Sequence, residues 1–265
     1  MRMHLRRARP EGWKERRATI RHAWAVPFVR VEYGMEWVAY LLSNWVFLEV
    51  LEYLGSFGVL IAVIFYFSES GDRLKQKHYQ AWQVINSAQG KGGSGGRMEA
   101  LEELNADGVS LVGVDLSSAF LKGMRLKKAN LTRANFDGAD ARDAELPGAK
   151  IEDASLRDAN FRNAKLDDTD FSRTKLNRAD LTGASLKRSV LDGADFTDAE
   201  LTGADLTGAS LENTDLQNAD LEGVKWTELK SVKGANVYGV KNAPEGFMEW
   251  AMGHGAVREK KSGEQ

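Results

Sequence analysis

The sequence predicts a repeat solenoid with an apolar helix ahead of it, and three observations carry that prediction. From Leu111 to Trp226 every fifth residue is large and apolar, Ala141 excepted, giving 24 centres in one unbroken phase. Two residues before each centre stands a small or modest side chain, mostly Ala, with Thr169, Thr174, Ser189 and Thr214 among them. Upstream, Tyr53–Phe67 runs 15 residues without a charge. A period of five fits neither a 3.6-residue helix nor a two-residue strand, so the repeat itself must be the structural unit.

The stretches AlaAsnLeuThrArg at 129–133 and AlaAspLeuThrGly at 179–183 and 204–208 resemble pentapeptide repeats. The resemblance covers 109–228 continuously and 232–240 with the phase moved by one residue, at Val232 and Val237. It implies a right-handed quadrilateral β-helix with four pentapeptides per coil, hence about six coils. The centre and the preceding small residue would point inward and the other three positions outward. Small residues alternating with large ones fill a narrow interior without voids.

Coils about 4.8 Å apart would bring outward residues 20 positions apart into contact, where opposite charges stabilise and like charges repel. Between 109 and 228, 12 opposite-charge pairs and 6 like-charge pairs fall at that separation, so the charges favour it. Arg133–Asp153–Arg173, Asp158–Arg178–Asp198 and Arg125–Glu145–Lys165 are the ladders expected. Six coils make a solenoid about 29 Å long. Its open ends need covers. An amphipathic cap helix is expected at 97–108, within which Arg97–Asn105 carries the pattern. A second is expected at 243–257, where Pro244 opens a helix that lays Phe247, Met248, Trp250 and Ala251 on the last coil.

The expected order along the chain is a basic tail at 1–34 and a membrane segment at 35–67. An amphipathic helix and Gly-rich linker follow at 68–96, then the N-terminal cap, the β-helix over 109–242, the C-terminal cap and a polar tail at 258–265. Extending the apolar run back to Val46 gives a 22-residue span that includes Glu49 and Glu52 near one end. Trp37, Trp45 and Phe47 on one side, with Phe65, Tyr66 and Phe67 on the other, resemble interfacial belts. The expectation is therefore a single-pass transmembrane helix with the bilayer as one partner. Arg73, Lys75 and Lys77 beside the span favour a cytoplasmic solenoid, although nine Lys or Arg in the first 30 residues favour an inside N-terminus. Gly58 and Ala62, four residues apart, would allow close helix approach, and with it a homo-oligomer.

Net charge is −2, which argues against nucleic acid as a partner. Zero cysteines remove disulfides, thiol nucleophiles and Cys-based metal sites. His4, His22, His78 and His254 stand outside the repeats with no metal-ligand spacing. The Gly-rich run beside Lys91 lacks the order of a phosphate loop, and the abundant carboxylates are what a solvated repeat surface carries. The expectation is no enzyme, no cofactor and no metal.

Charge along the repeats is uneven. Residues 122–188 hold 15 basic and 11 acidic side chains, whereas 190–222 hold nine acidic and no basic ones. On the face centred at Leu121, Ala141, Phe161, Leu181, Leu201 and Leu221, the cations Lys122, Arg142 and Arg162 stack like on like. Asp180, Glu200 and Asp220 do the same farther along, with Glu222 beside them. Such ladders cost stability, so this face is the candidate interaction surface for an unidentified protein partner. The function expected is a membrane-anchored, non-catalytic scaffold for protein–protein interaction. One alternative is a structural subunit of a membrane assembly. The other, implied by the resemblance, is a DNA-mimicking binder of a type II topoisomerase such as gyrase.

Overall fold

The computed structural model describes residues 7–43, 46–87 and 96–260. Arg2, Arg6 and His4, Trp45, the Gly-rich run at 90–95 with Lys91, and the last five residues of the polar tail lie outside the described residues. The chain divides into two compact units, Met1–Leu74 and Lys75–Gln265.

In the first unit, α1 (Trp13–Ala18) leads through a short 3₁₀ turn (Ala23–Ala25) to α2 (Val26–Ser43), and α3 (Val46–Ser87) begins. Side chains of α1 meet one face of α2. Arg16 pairs with Glu36, the Trp13 ring lies 5.3 Å from Tyr33, and Arg30 stands 5.9 Å over Trp13. From Phe57 to Tyr66 the side chains of α3 are exposed on every side of the helix.

Among the described residues no helix is long and apolar enough to cross a membrane. This overturns the transmembrane helix at 46–67. With it go the bilayer as partner, the single-pass localisation with a cytoplasmic solenoid, and the membrane-assembly alternative. The physical reason is that the apolar run is short unless Glu49 and Glu52 are taken into it. The charge-free run of 15 residues covers roughly 22 Å of helix, short of a hydrocarbon core of about 30 Å.

The second unit is the solenoid with its covers. Each pentapeptide is a β-turn followed by a one-residue bridge. The Ala119 N–H donates to the Leu116 carbonyl at 3.2 Å, closing the turn. Asn135 then pairs with Asp115 one coil away: Leu116 N–H donates to Asn135 O at 2.7 Å, and Asn135 N–H to Val114 O at 2.9 Å. Parallel bridges repeat at a separation of 20 from Asp115–Asn135 through Asp205–Lys225, so four pentapeptides make one coil. All 24 centres but Trp226 are buried. Coils 1 to 6 start at Leu111, Leu131, Ile151, Phe171, Leu191 and Leu211. The polar residues that point inward are satisfied: Thr169, Thr174 and Thr214 donate to the carbonyls of Leu146, Ile151 and Leu191 at 2.7–2.9 Å.

Ala141, the one small centre, has a structural counterpart. The rings of Phe136 in the same coil and Phe161 one coil on meet edge to face at 5.9 Å, beside the volume a leucine at 141 would take.

Both ends are closed. At the N-terminal end α4 (Arg97–Ala106) buries Arg97, Ala100, Leu101 and Leu104 on one stripe. Glu102 accepts the Arg125 N–H at 2.9 Å, and Asn105 donates to the Lys127 carbonyl at 3.1 Å, so two edge groups of coil 1 find partners. The last turns of α3 join this cover through buried Ala81 and Ile85, with Lys77 2.6 Å from Glu103 and His78 3.0 Å from Asp107. At the other end the spacing steps from 20 to 21, as Ser210 pairs with Ser231 and Asp215 with Asn236. Trp226, half-buried, instead meets Phe247 edge to face (5.6 Å) and Trp250 at a tilt (5.3 Å) in α5 (Phe247–Gly253), and Leu229 is buried. Beyond α5, Val257 pairs with Asn236 and covers the last edge.

Candidate functional site

The turn geometry sorts the outward positions. The residue before each centre makes the bridge, and its side chain accepts the backbone N–H of the residue after the centre, as Asp170 does from Ser172 at 2.9 Å. Asp and Asn suit that position because a short carboxylate or amide reaches two residues on. Two residues after each centre the backbone is left-handed, with φ near +57° at many non-glycine positions including Asp153, Asp158, Arg173 and Arg178.

Those left-handed positions carry the ion-pair ladders. Arg173 grips Asp153, Arg178 grips Asp158 and Arg188 grips Asp168, each through two hydrogen bonds of 2.6–2.9 Å. Lys165 reaches Glu145 at 2.7 Å, while Arg125 turns from Glu145 toward Glu102 of the cap at 3.8 Å. The bound guanidinium or ammonium holds the carboxyls of Asp153, Asp158, Asp168 and Glu145 below their usual range.

The face centred at 121, 141, 161, 181, 201 and 221 is built differently. Its cations follow the centres, whereas the carboxylates of Asp180, Glu200 and Asp220 precede them, so the two sets occupy parallel rows. Arg142 donates twice to Asp140 of its own repeat, at 2.7 Å each, which holds that carboxyl low. Lys122 lies 3.7 Å from Asp143. Arg162 pairs with Asp180 one coil on and stands 3.7 Å from Glu200. Asp220 accepts the Glu222 N–H at 3.0 Å and the Asn242 amide at 2.9 Å. Arg142 and Arg162 thus meet carboxylates of the other row, whereas Lys122 approaches Asp143 and Asp220 accepts neutral donors.

This diagonal, 18 residues apart, is a contact that the spacing of 20 does not reveal. It recurs where Ser155, Ser185 and Ser210 donate to Asp137, Asp167 and Asp192. A count of polar pairs at a separation of 18 would have found it.

Size is divided as charge is. Coils 1–3 present Phe120 (49% exposed), Lys122, Arg142 and Arg162. Coils 4–6 present Thr182, Thr202 and the glycines Gly183, Gly203 and Gly223 between their carboxylates. A cleft of about 450 Å³ lined by Met98, Glu99, Glu102, Gly123 and Arg125 adjoins the N-terminal end of the face. Gly58 and Ala62 belong to α3 of the first unit; both are exposed, and a side chain built at Gly58 meets nothing within 4 Å. Among the described residues no group of His, Cys, Asp and Glu is placed to hold a metal ion.

Comparison with a family model agrees with the five-residue repeat. A family model described as pentapeptide repeats matches in eight copies over residues 101–133, 110–148, 154–193 and 189–225. A search of curated proteins finds no match. Among solved structures, HetL of Nostoc sp. strain PCC 7120, a pentapeptide repeat protein involved in heterocyst differentiation regulation, is 28% identical. The match covers 49% of this chain and 72% of HetL, with a TM-score of 0.25. The plasmid-mediated fluoroquinolone resistance protein QnrB1 is 22% identical over 52% of this chain and 83% of its own, with a TM-score of 0.30. Rfr23 of the cyanobacterium Cyanothece 51142 is 26% identical over 43% and 64%, with a TM-score of 0.19. Over residues 101–148 and 154–225 the solenoid matches the pentapeptide-repeat family model.

Proposed function

We propose that the protein is a non-catalytic scaffold whose β-helix presents the 121–221 face to a protein partner. The observation that supports this is the division of that face into a bulky cationic half and a smooth acidic half. A rigid solenoid loses little conformational freedom on binding, which favours this use of the fold. The test is capture by the full-length chain carrying both Arg142→Glu and Arg162→Glu. Loss of partner capture with an unchanged melting temperature is expected; unchanged capture removes the face from the interaction.

The acidic run of 190–222 favours one second reading, the DNA-mimicking topoisomerase binder. Against it, coils 1–4 carry abundant cations on the same surface. A gyrase supercoiling assay with the full-length chain separates the two, and inhibition or protection would favour the second.

A further inference from the structure

We infer that the partner this face fits is a second copy of the same chain, lying side by side and antiparallel. The inference rests on the reading of the face as an interaction surface and adds the identity of its occupant. A two-fold interface brings the same patch of both copies together, so the patch must complement itself. In an antiparallel pair whose axis passes between coils 3 and 4, coil 1 meets coil 6, coil 2 meets coil 5 and coil 3 meets coil 4.

At its ends and its centre the face is antisymmetric in charge about that midpoint. Lys122 in coil 1 is set against Asp220 and Glu222 in coil 6. Arg162 in coil 3 is set against Asp180 in coil 4, whereas in coil 2 Asp140 and Asp143 outnumber Arg142 opposite Glu200 of coil 5, so that pair of coils does not complement. Size follows the same rule. The long side chains of coils 1–3, with half-exposed Phe120 at their end, lie against threonines and glycines of coils 4–6. A parallel pair loses this, because it sets Asp220 and Glu222 of one copy on those of the other.

The contributions differ. Arg142 is already held twice by Asp140 of its own repeat, with Asp143 nearby, so coil 2 adds least. Lys122 has only the 3.7 Å approach to Asp143, and its side chain is 60% exposed. Glu200 is equally open, with Arg162 3.7 Å away. Lys122 and Glu222 are therefore the residues on which pairing most depends, because Arg162 already meets Asp180 and Glu200 of its own chain.

The chain has no cysteine, which permits a clean distance test in the full-length protein. Lys122→Cys and Glu222→Cys variants, mixed and oxidised, are expected to form a disulfide-linked dimer at least about tenfold faster than either variant alone, because only the mixture sets one thiol opposite the other. Charge gives the second arm, read by sedimentation velocity. Lys122→Glu with Arg162→Glu makes the face predominantly acidic, with only Arg142 left; Glu200→Lys with Glu222→Lys makes it predominantly basic. Each double variant should be monomeric alone, and the equimolar mixture should restore the dimer. A monomeric wild type overturns the inference, as does a dimer that survives both reversals or cysteines that couple equally in all combinations. A monomer that still captures a protein through Arg142 and Arg162 overturns only the second copy and leaves the scaffold reading standing. Unchanged capture by the chain carrying Arg142→Glu and Arg162→Glu, alongside an intact wild-type dimer, does the opposite.

Discussion

Arg178 and Asp158 sit one coil apart, both in left-handed backbone (φ +59° and +56°), and are joined by two hydrogen bonds of 2.6 and 2.7 Å. Left-handed backbone costs a residue with a side chain roughly 1–2 kcal/mol, a cost glycine escapes. The solenoid accepts that cost because the same backbone turns the side chain along the axis, toward its counterpart in the next coil. Two opposed effects therefore meet at position 178. Arg178→Ala removes the ion pair and keeps the strain, whereas Arg178→Gly removes both. The glycine variant should be the more stable by roughly fivefold in the unfolding equilibrium constant, measured by urea denaturation.

Ala141 tests the packing of the interior. The rings of Phe136 and Phe161 meet beside it, and it is fully buried. Ala141→Leu restores the repeat pattern in sequence yet should destabilise by about 1–3 kcal/mol, because the added volume has nowhere to go. Phe161→Ala should cost about 3–5 kcal/mol by leaving a cavity. Thermal unfolding of both variants checks the pair.

Arg97 is the anomaly of the N-terminal cover. It is 1% exposed, and none of its guanidinium nitrogens has a hydrogen-bond partner among the described residues. Burial pushes its pKa down, with Asp115 acting in the opposite sense. A buried charge without a partner is destabilising, so an apolar side chain of similar length should improve the cap. Arg97→Met is expected to raise stability by about 1–4 kcal/mol. Arg97→Ala should show no such gain, since it leaves a cavity in the same place.

The carboxyl groups set the acid limit. His78 lowers the pKa of Asp107, Arg142 that of Asp140, Lys165 that of Glu145, and Arg173, Arg178 and Arg188 those of Asp153, Asp158 and Asp168. A depressed folded pKa means that the stability is present above the ordinary values of 3.8 for Asp and 4.5 for Glu, and is lost as pH falls through the folded ones. Lys77 and Lys165 are raised, so their share is complete below 10.5 and is lost only above it. For these groups the melting temperature should be level between about pH 5.5 and 9 and fall below about pH 4. Differential scanning calorimetry across that range is the measurement.

The coil was legible because backbone and sequence share one period. Leu, Phe and Ala recur at the spacing the turn dictates, and the pairs Arg173–Asp153, Arg178–Asp158 and Lys165–Glu145 follow from the spacing of 20. The candidate face was legible only as a list of charges. Whether Arg162 meets Arg142 or Asp180 depends on the two rows into which the turn splits the outward residues, and a single spacing carries no information about rows. Arg97 was hidden for another reason. At the head of an amphipathic pattern a cation is expected to reach solvent, and only the fit of α4 against coil 1 shows that it does not. The apolar stretch of α3 misled because a 22-residue span was reached only by taking in Glu49 and Glu52.

The step from 20 to 21 residues after Trp226 works as punctuation. Upstream of it each coil is a template for another, so duplicating any twenty residues between 109 and 225 would lengthen the solenoid and leave both ends as they are. Duplication across Leu229 would carry the offset inward and break every ladder it met. Growth of this gene by slippage is therefore tolerated inside the coils and blocked at their end. The extra residue is the full stop that lets α5 recognise where the solenoid is complete.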